Sequence, residues 1–210
     1  EDIATFLPSS NIDFIAGGGT KFFDSREDGK NLFSVFKKNG YEIHTEELPK
    51  TLSTRKQVIL LEEDEMPKML DGRGDFLPNA TILALEALSK NETGFFLLIE
   101  GSQIDWGGHD NDADYLISEL LDFDKTIGAV LDFSKKNGET LVIVTADHET
   151  GGFTLSTDDG DYNKIKPTFS TTGHSASMVP LFAEGPGASL FGGIYDHRGI
   201  YQKMRALLIE

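Results

Sequence analysis

The sequence predicts an α/β fold, in which a mostly parallel central sheet is flanked by helices on both faces. Two continuously apolar segments, 95–99 and 141–144, have the length and composition of strands that are covered on both faces, as in parallel sheets. Helical patterns at 80–90 and 112–136 each precede one of these segments, and this alternation is typical of βαβ units. Because 210 residues suffice for one sizeable core, we expect a single α/β domain over residues 1–210.

The remaining segments repeat this alternation with shorter elements. The helical spacing at 28–38 places Leu32, Val35 and Phe36 on its inner face. Glycines at 17–19 could form a phosphate-binding loop or a tight turn, and the turn is favoured because the Gly-Lys-Ser/Thr end of a Walker loop is missing. Further patterns predict strands at 12–16, 41–45, 57–61 and 178–183, a hairpin at 153–162 and a final helix at 200–209.

The composition argues against several classes of function. A net charge of −16 opposes binding to nucleic acid or to an anionic membrane surface, unless bound metal ions reverse it locally. No apolar run reaches the roughly 18 to 20 residues of a membrane-spanning helix. The chain has no cysteine, so histidine, aspartate and glutamate are its only strong metal ligands. It starts at Glu1 without a signal peptide, which suggests a mature form or a piece of a longer protein.

Candidate metal ligands follow the first buried strand. Glu100 and Asp105 stand beyond its end, where open α/β sheets bind their ligands. Asp105 and His109 are four residues apart, so one helical turn brings a carboxylate and an imidazole to the same side. Gly107 and Gly108, which lie between them, permit sharper bends. This pairing of side chains suits a divalent cation.

The second buried strand ends in the same way, in Asp147 and His148. If the two strands lie near each other in a parallel sheet, both groups of ligands converge. His174 is predicted on a loop before the strand at 178–183. The simpler alternative is that these acids and histidines are separate, solvated loop residues, as we infer for the acidic clusters at 62–65 and 158–161. Their concentration after buried strands favours a site.

Three segments resemble metal-binding segments of the alkaline phosphatase family, in the same order along the chain. They are EGSQIDWGGH at 100–109, TADHETGG at 145–152 and GHSASMVP at 173–180. The resemblance extends to DFIAGGG at 13–19, to the helix near Pro78 and to the last helix, so it spans nearly the whole chain. It implies an alkaline-phosphatase-like α/β fold and a bacterial member of this hydrolase family.

The resemblance also implies the ligands of two zinc ions and one magnesium ion. Asp105, His109 and His174 look like ligands of one catalytic zinc, Asp147 and His148 like ligands of the other, and Glu100 like a magnesium ligand. Magnesium prefers oxygen ligands, which agrees with Glu100. The implied reaction is the hydrolysis of phosphomonoesters to inorganic phosphate through a phosphoserine intermediate.

The chain departs from the family pattern in one large way. The family has an N-terminal segment with a metal-binding aspartate, the nucleophilic serine and a phosphate-binding arginine, and nothing in this sequence matches it. We expect that segment ahead of Glu1, so no catalytic nucleophile is assigned within these residues. The fold is then incomplete relative to the full enzyme. Counting ligands, we expect the fragment to bind at most about one zinc ion tightly and to be inactive alone.

Two other interpretations stay open. A related two-metal hydrolase, such as a phosphodiesterase or a sulfatase, would use a similar site. A non-catalytic metal-binding domain would need no further segment. The resemblance to alkaline phosphatases itself implies a periplasmic or secreted enzyme that could form a homodimer. Its expected substrate is a phosphomonoester, with no nucleic-acid partner and no membrane span.

Overall fold

The computed structural model describes residues 2–209, and the chain divides into two compact units, Glu1–Ile99 and Glu100–Glu210. Whether these two units form the single domain expected from the chain length stays a prediction. No helix within residues 2–209 combines the length and the apolar character that crossing a membrane requires.

The first unit contains a three-stranded parallel sheet. Its strand β3 lies between β1 and β2, so Gln57 stands opposite Phe14 on one side and Glu42 on the other. All four residues of β3 are buried, as expected for the central strand of a parallel sheet. The elements are α1 (Asp2–Phe6), β1 (Phe14–Gly17), α2 (Lys21–Asp24), α3 (Leu32–Lys38), β2 (Glu42–His44), β3 (Gln57–Leu60) and α4 (Phe76–Leu88).

The helix α3 covers this sheet with aromatic side chains. It begins after Asn31, whose side chain accepts a hydrogen bond from the Ser34 backbone N–H at 3.1 Å. The helix starts at residue 32 rather than 28, and Leu32, Phe33 and Phe36 face the core, where Phe36 is fully buried. The prediction that Val35 belongs to the inner face is wrong, since 38% of this residue is exposed.

A polar network joins the open edge of β2 to β3. The Gln57 side chain is buried. Its Oε1 atom lies 3.1 Å from Nε2 of His44, and its amide nitrogen donates to the Arg55 carbonyl at 2.8 Å. The amide also donates to Glu42 at 3.3 Å, and the Ser53 hydroxyl donates to the same carboxylate at 2.5 Å. The Ser53 hydroxyl, and then the Gln57 amide, lower the pKa of Glu42.

The apolar segment 95–99 differs from its prediction. It was expected to form a strand that is buried on both faces, but it belongs to no sheet within residues 2–209. Half-buried and exposed residues alternate along it, and Phe96 and Leu98 are 61% and 80% exposed. A strand needs hydrogen-bonded neighbours to be covered in this way, and among the described residues the sheets do not provide them. Phe96 and Leu98 are exposed because no neighbouring strand of residues 2–209 covers them.

Within residues 100–209, the second unit contains three α-helices and three antiparallel strand pairs. The pairs are β4 with β9, β5 with β8, and β6 with β7. The hairpin of β6 and β7 confirms the hairpin predicted at 153–162, but it extends further, to Thr168. The elements are α5 (Gln103–Asp110), α6 (Ala113–Asn137), β4 (Val142–Thr145), β5 (Glu149–Thr150), β6 (Thr154–Asp158), β7 (Asp161–Thr168), β8 (His174–Ser175), β9 (Leu181–Glu184) and α7 (His197–Ile209).

The long helix α6 matches its predicted bounds closely because both of its ends are encoded locally. The side chain of Asp112 accepts a hydrogen bond from the Tyr115 N–H at 3.0 Å and so caps the first turn. Gly138 ends the helix in the left-handed conformation, at φ 75°, with its N–H bonded to the Ser134 carbonyl. The Ser134 hydroxyl then donates to the Thr140 carbonyl at 2.7 Å, which directs the chain into β4.

Candidate metal centre

The helix α5 presents Asp105 and His109 on the same face. The Nε2 atom of His109 lies 3.4 Å from Oδ2 of Asp105, one helical turn away. The Nδ1 atom of His109 lies 2.6 Å from the Thr172 carbonyl oxygen. A carbonyl only accepts hydrogen bonds, so Nδ1 carries the proton and a neutral His109 has its lone pair on Nε2. Nε2 is therefore the His109 atom that is available to a metal ion beside Asp105.

Two glycines allow α5 to pack closely against its neighbours. Gly107 and Gly108 were expected to permit bends, but both lie inside the regular helix, so that interpretation is wrong. A Cβ atom at Gly107 would lie 2.6 Å from the backbone nitrogen of Leu116 on α6. A Cβ atom at Gly108 would lie 3.0 Å from the Thr150 side chain on β5. The absence of side chains at these positions therefore brings α5 against both α6 and β5.

A buried hydrogen bond fixes the start of α5. The Tyr115 hydroxyl, on α6, donates to Oε1 of Gln103 at 2.8 Å, and both residues are almost completely buried. Because the bond is shielded from water, its loss would leave buried polar atoms that are costly to satisfy. It helps to hold the face of α5 that carries Asp105.

The strand β8 brings His174 to this face. Its Nε2 atom lies 3.0 Å from Nε2 of His109 and 3.3 Å from Oδ1 of Asp105. His174 was predicted on a loop, and it lies instead on a two-residue strand that pairs with β5. One ligand atom from each of these three residues lies within 4.8 Å of the others. The sequence predicted the residues, and the strand pairing is what assembles them.

The spacing of these atoms suits a zinc ion. Zinc binds histidine nitrogen and carboxylate oxygen at about 2.0 to 2.2 Å in tetrahedral geometry, so its ligand atoms lie roughly 3.3 Å from one another. The three closest separations here, 3.0, 3.3 and 3.4 Å, agree with that value. Two imidazoles and a carboxylate are also typical zinc ligands. The residues therefore fit the metal.

His148 and Asp147 lie directly beside this cluster. The imidazole of His148 stacks on that of His174, with ring centroids 3.6 Å apart. Its Nε2 atom lies 3.2 Å from Oδ2 of Asp147, whose side chain is 86% exposed. Its Nδ1 atom lies 4.0 Å from Oδ1 of Asp105. Five of the six predicted ligands are thus neighbours.

Glu100 is the sixth predicted ligand. It is exposed, and within residues 2–209 no hydrogen bond or ion pair joins it to them. It also lies outside the group of ligand atoms formed by Asp105, His109 and His174. Its role as a magnesium ligand remains a prediction.

The sequence interpretation missed three residues that hold the strands and ligands of the cluster in place, namely Thr150, Glu149 and Ser175. Thr150 donates from its hydroxyl to Oδ1 of Asp105 at 2.5 Å. Glu149 accepts a hydrogen bond from the Ser175 hydroxyl, and another from the Phe153 N–H at 3.1 Å. These bonds, that of Ser175 first, lower the pKa of Glu149. Thr150 and Glu149 are part of the TADHETGG segment, but the partner of Thr150 lies on α5 and that of Glu149 on β8.

Known proteins resemble this chain in both sequence and structure. The family model "Alkaline phosphatase" matches residues 1–168. Alkaline phosphatase 3 of Bacillus subtilis is 42% identical over 155 residues, which are 72% of this chain and 33% of that protein. Alkaline phosphatase 4 of the same organism is 37% identical over 177 residues, which are 83% of this chain and 38% of that protein. The matched regions therefore span 33% and 38% of these relatives.

The fold agrees with the sequence matches. The structure of alkaline phosphatase from the Antarctic bacterium TAB5 superposes with a TM-score of 0.96 at 49% identity, covering 99% of this chain and 63% of that one. A cold-active alkaline phosphatase from Shewanella gives a TM-score of 0.87 at 28% identity. The predicted α/β class and its incompleteness relative to the full enzyme are confirmed. On the agreement of sequence, fold and motif order, the chain belongs to the alkaline phosphatase family.

Proposed function

We propose that the protein to which these residues belong hydrolyses phosphomonoesters with the help of two zinc ions and one magnesium ion. The observation that carries this proposal is the convergence of Asp105, His109 and His174, whose ligand atoms have the spacing of a zinc site. Membership of the alkaline phosphatase family supports the reaction class. One solved neighbour, a mutant of the TAB5 enzyme, has magnesium bound in its M3 site, which supports the choice of the third cation.

Each residue group has a distinct role in this proposal. Asp105, His109 and His174 hold the first zinc, Asp147 and His148 contribute to the second, and Glu100 contributes to the magnesium site. When bound, zinc supplies Lewis-acid chemistry, which polarises a phosphoryl oxygen and lowers the pKa of a hydroxyl or water. The bound cations also offset the net charge of −16, which otherwise opposes the approach of a phosphate ester.

The nucleophilic serine is proposed to lie outside these residues. Ser102 precedes α5 inside the EGSQIDWGGH segment, and its position there suggests no nucleophile. Ser175 donates its hydroxyl hydrogen to Glu149, which supports a structural role in the pairing of β5 and β8. We therefore propose that the 210-residue chain alone binds at most about one zinc ion tightly, since within residues 2–209 three protein ligands come together for the first zinc only.

The intact protein provides the test of this function. Phosphomonoesters should be hydrolysed at alkaline pH, whereas diesters and sulfate esters should be poor substrates. Exhaustive chelation should abolish turnover, and added zinc and magnesium should restore it. Full activity after chelation would overturn the metal mechanism. Preference for a diester or a sulfate ester would favour a related two-metal hydrolase, and failure to bind metal would remove the proposed centre.

The same proposal extends to location and assembly. As a bacterial alkaline phosphatase, the intact protein would act in the periplasm or outside the cell, and it could form a homodimer. Cell fractionation tests the first statement, and light scattering of the purified protein tests the second.

A further inference from the structure

The hydroxyl of Thr150 lies between ligands of the two proposed zinc positions. Its Oγ1 atom is 2.5 Å from Oδ1 of Asp105, which belongs to the first position. The same atom is 3.2 Å from Nδ1 of His148, which belongs to the second. One half-buried side chain thus contacts both groups.

The chemistry of the three groups determines where the protons lie. An ionised carboxylate only accepts hydrogen bonds, so the single hydroxyl hydrogen of Thr150 goes to Asp105. A hydrogen bond from a hydroxyl to an ionised carboxylate is charge-assisted. Oγ1 then has lone pairs available, and it accepts the Nδ1–H of His148. Nδ1 therefore carries the proton of neutral His148, which leaves the lone pair on Nε2, the atom beside Asp147.

The backbone and the methyl group hold this hydroxyl in place. Thr150 stands opposite His174 in the pairing of β5 with β8, so its position is tied to that of a further ligand. Its Cβ and Cγ2 atoms lie against Gly108, where an added Cβ would approach them to 3.0 Å. The side chain is consequently fixed on one side by α5 and on the other by β8.

We infer that Thr150 is a positioning residue that couples the two zinc positions through its hydroxyl. Donation to Asp105 orients the carboxylate of the first position, and acceptance from His148 selects the ring nitrogen that is available at the second. Hydrogen bonds of this kind to metal ligands typically change metal affinity by about 10- to 100-fold. The inference rests on the proposed function, since it takes Asp105 and His148 as zinc ligands.

The test compares Thr150→Val with Thr150→Ser in the intact protein. Valine keeps the shape and the contact with Gly108 but removes the hydroxyl, whereas serine keeps the hydroxyl. Thr157→Val is the matched control, because Thr157 is a half-buried strand threonine on β6, away from the cluster. Zinc affinity is measured by competition with a chelating indicator. The absorption spectrum of the cobalt-substituted protein gives a second readout that does not depend on turnover.

The expected result is a loss of zinc affinity at both positions, about 10- to 100-fold each, in Thr150→Val. Thr150→Ser should bind zinc nearly as well as the parent, and Thr157→Val should match the parent. The cobalt spectrum should change only in the valine variant. If Thr150→Val does not fold, Thr150→Ser and Thr150→Ala give the same comparison, because both lack the methyl group.

Two negative results have different meanings. If the parent binds zinc and Thr150→Val binds it equally well, the coupling role is overturned while the proposed function stands. If the parent binds no zinc, the proposed metal centre fails, and the role of Thr150 fails with it. Loss of affinity at one position only would also overturn the coupling.

Discussion

The Nε2 atoms of His109 and His174 lie 3.0 Å apart, although 65 residues separate them along the chain. Since Nδ1 of His109 faces a carbonyl, its Nε2 offers a lone pair toward the other ring. Two imidazole nitrogens at this distance repel each other unless a proton or a cation lies between them. The nearby carboxylate of Asp105 favours a cation further. This geometry and the packing around it can be tested by substitution.

Removing the carboxylate of Asp105, which lies among the histidines of the metal centre, should damage the centre far more than removing the solvated carboxylate of Asp159. In the intact protein, Asp105→Ala should lower zinc affinity and turnover by more than about 100-fold, because outer contacts alone contribute about 10- to 100-fold. Asp159→Ala, in the exposed turn between β6 and β7, should leave both unchanged. Zinc content and steady-state kinetics of the two variants give the comparison. Equal effects would show that the site is misplaced.

The 210-residue chain should gain thermal stability from zinc. Binding only to the folded state stabilises it by about 2.7 kcal/mol when free zinc is about 100 times the dissociation constant. Titration should show about one tight zinc, a raised melting temperature and no hydrolysis of p-nitrophenyl phosphate. His174→Ala should abolish the stabilisation, whereas His197→Ala, at the exposed start of α7, should retain it. Two tight zinc ions or clear turnover would contradict the proposed ligand assignment.

The close packing of α5 against α6 should make Gly107 intolerant of a side chain. In Gly107→Ala the new Cβ would meet the backbone nitrogen of Leu116 at 2.6 Å, and overpacking of this kind costs about 1 to 3 kcal/mol of unfolding free energy. Gly128→Ala is the control, because Gly128 is an exposed residue of α6 with open space around it. That change should stabilise the protein by about 0.4 to 1 kcal/mol. Urea denaturation measures both, and the same sign for both would refute the packing argument.

The polar network at β2 predicts that the folding stability depends on pH through Glu42, and that Ser53 controls this dependence. Its hydroxyl lowers the pKa of Glu42 in the folded state, so the associated stability is fully present above the ordinary glutamate pKa and is lost as the pH falls through the lowered value. Ser53→Ala should raise the pKa of Glu42 toward its ordinary value. The variant should therefore lose part of the stability that ionised Glu42 provides above that pKa. NMR titration of the Glu42 carboxyl group measures the shift. An unchanged titration midpoint in the variant would contradict the assigned cause.

Features with local signals could be predicted from the sequence. The cap at Asp112 and the left-handed Gly138 mark both ends of α6, and the spacing of Asp105 and His109 places them on one helical face. Whether segment 95–99 is buried could not be predicted in this way, because its burial depends on which strands pair with it. An apolar run shows that a segment can be buried, but not that neighbours are present.

The same distinction applies within the metal centre. The ligand types of His148 and His174 were evident from the sequence, but their stacking depends on the pairing of two-residue strands. Thr150 had no distinguishing signal, since threonine is common in strands and its partner Asp105 lies 45 residues away. The register of β5 against β8 is a non-local property, and it is the step that converts separate motifs into a site.

The exposed alternation of Phe96 and Leu98 has a consequence for handling the isolated chain. An exposed apolar segment that is outside every sheet of residues 2–209 can pair with a strand of another molecule. Self-association should therefore begin at this segment when the chain is concentrated. A lysine at position 98 would place a charge on each molecule at the contact and should keep the chain in solution.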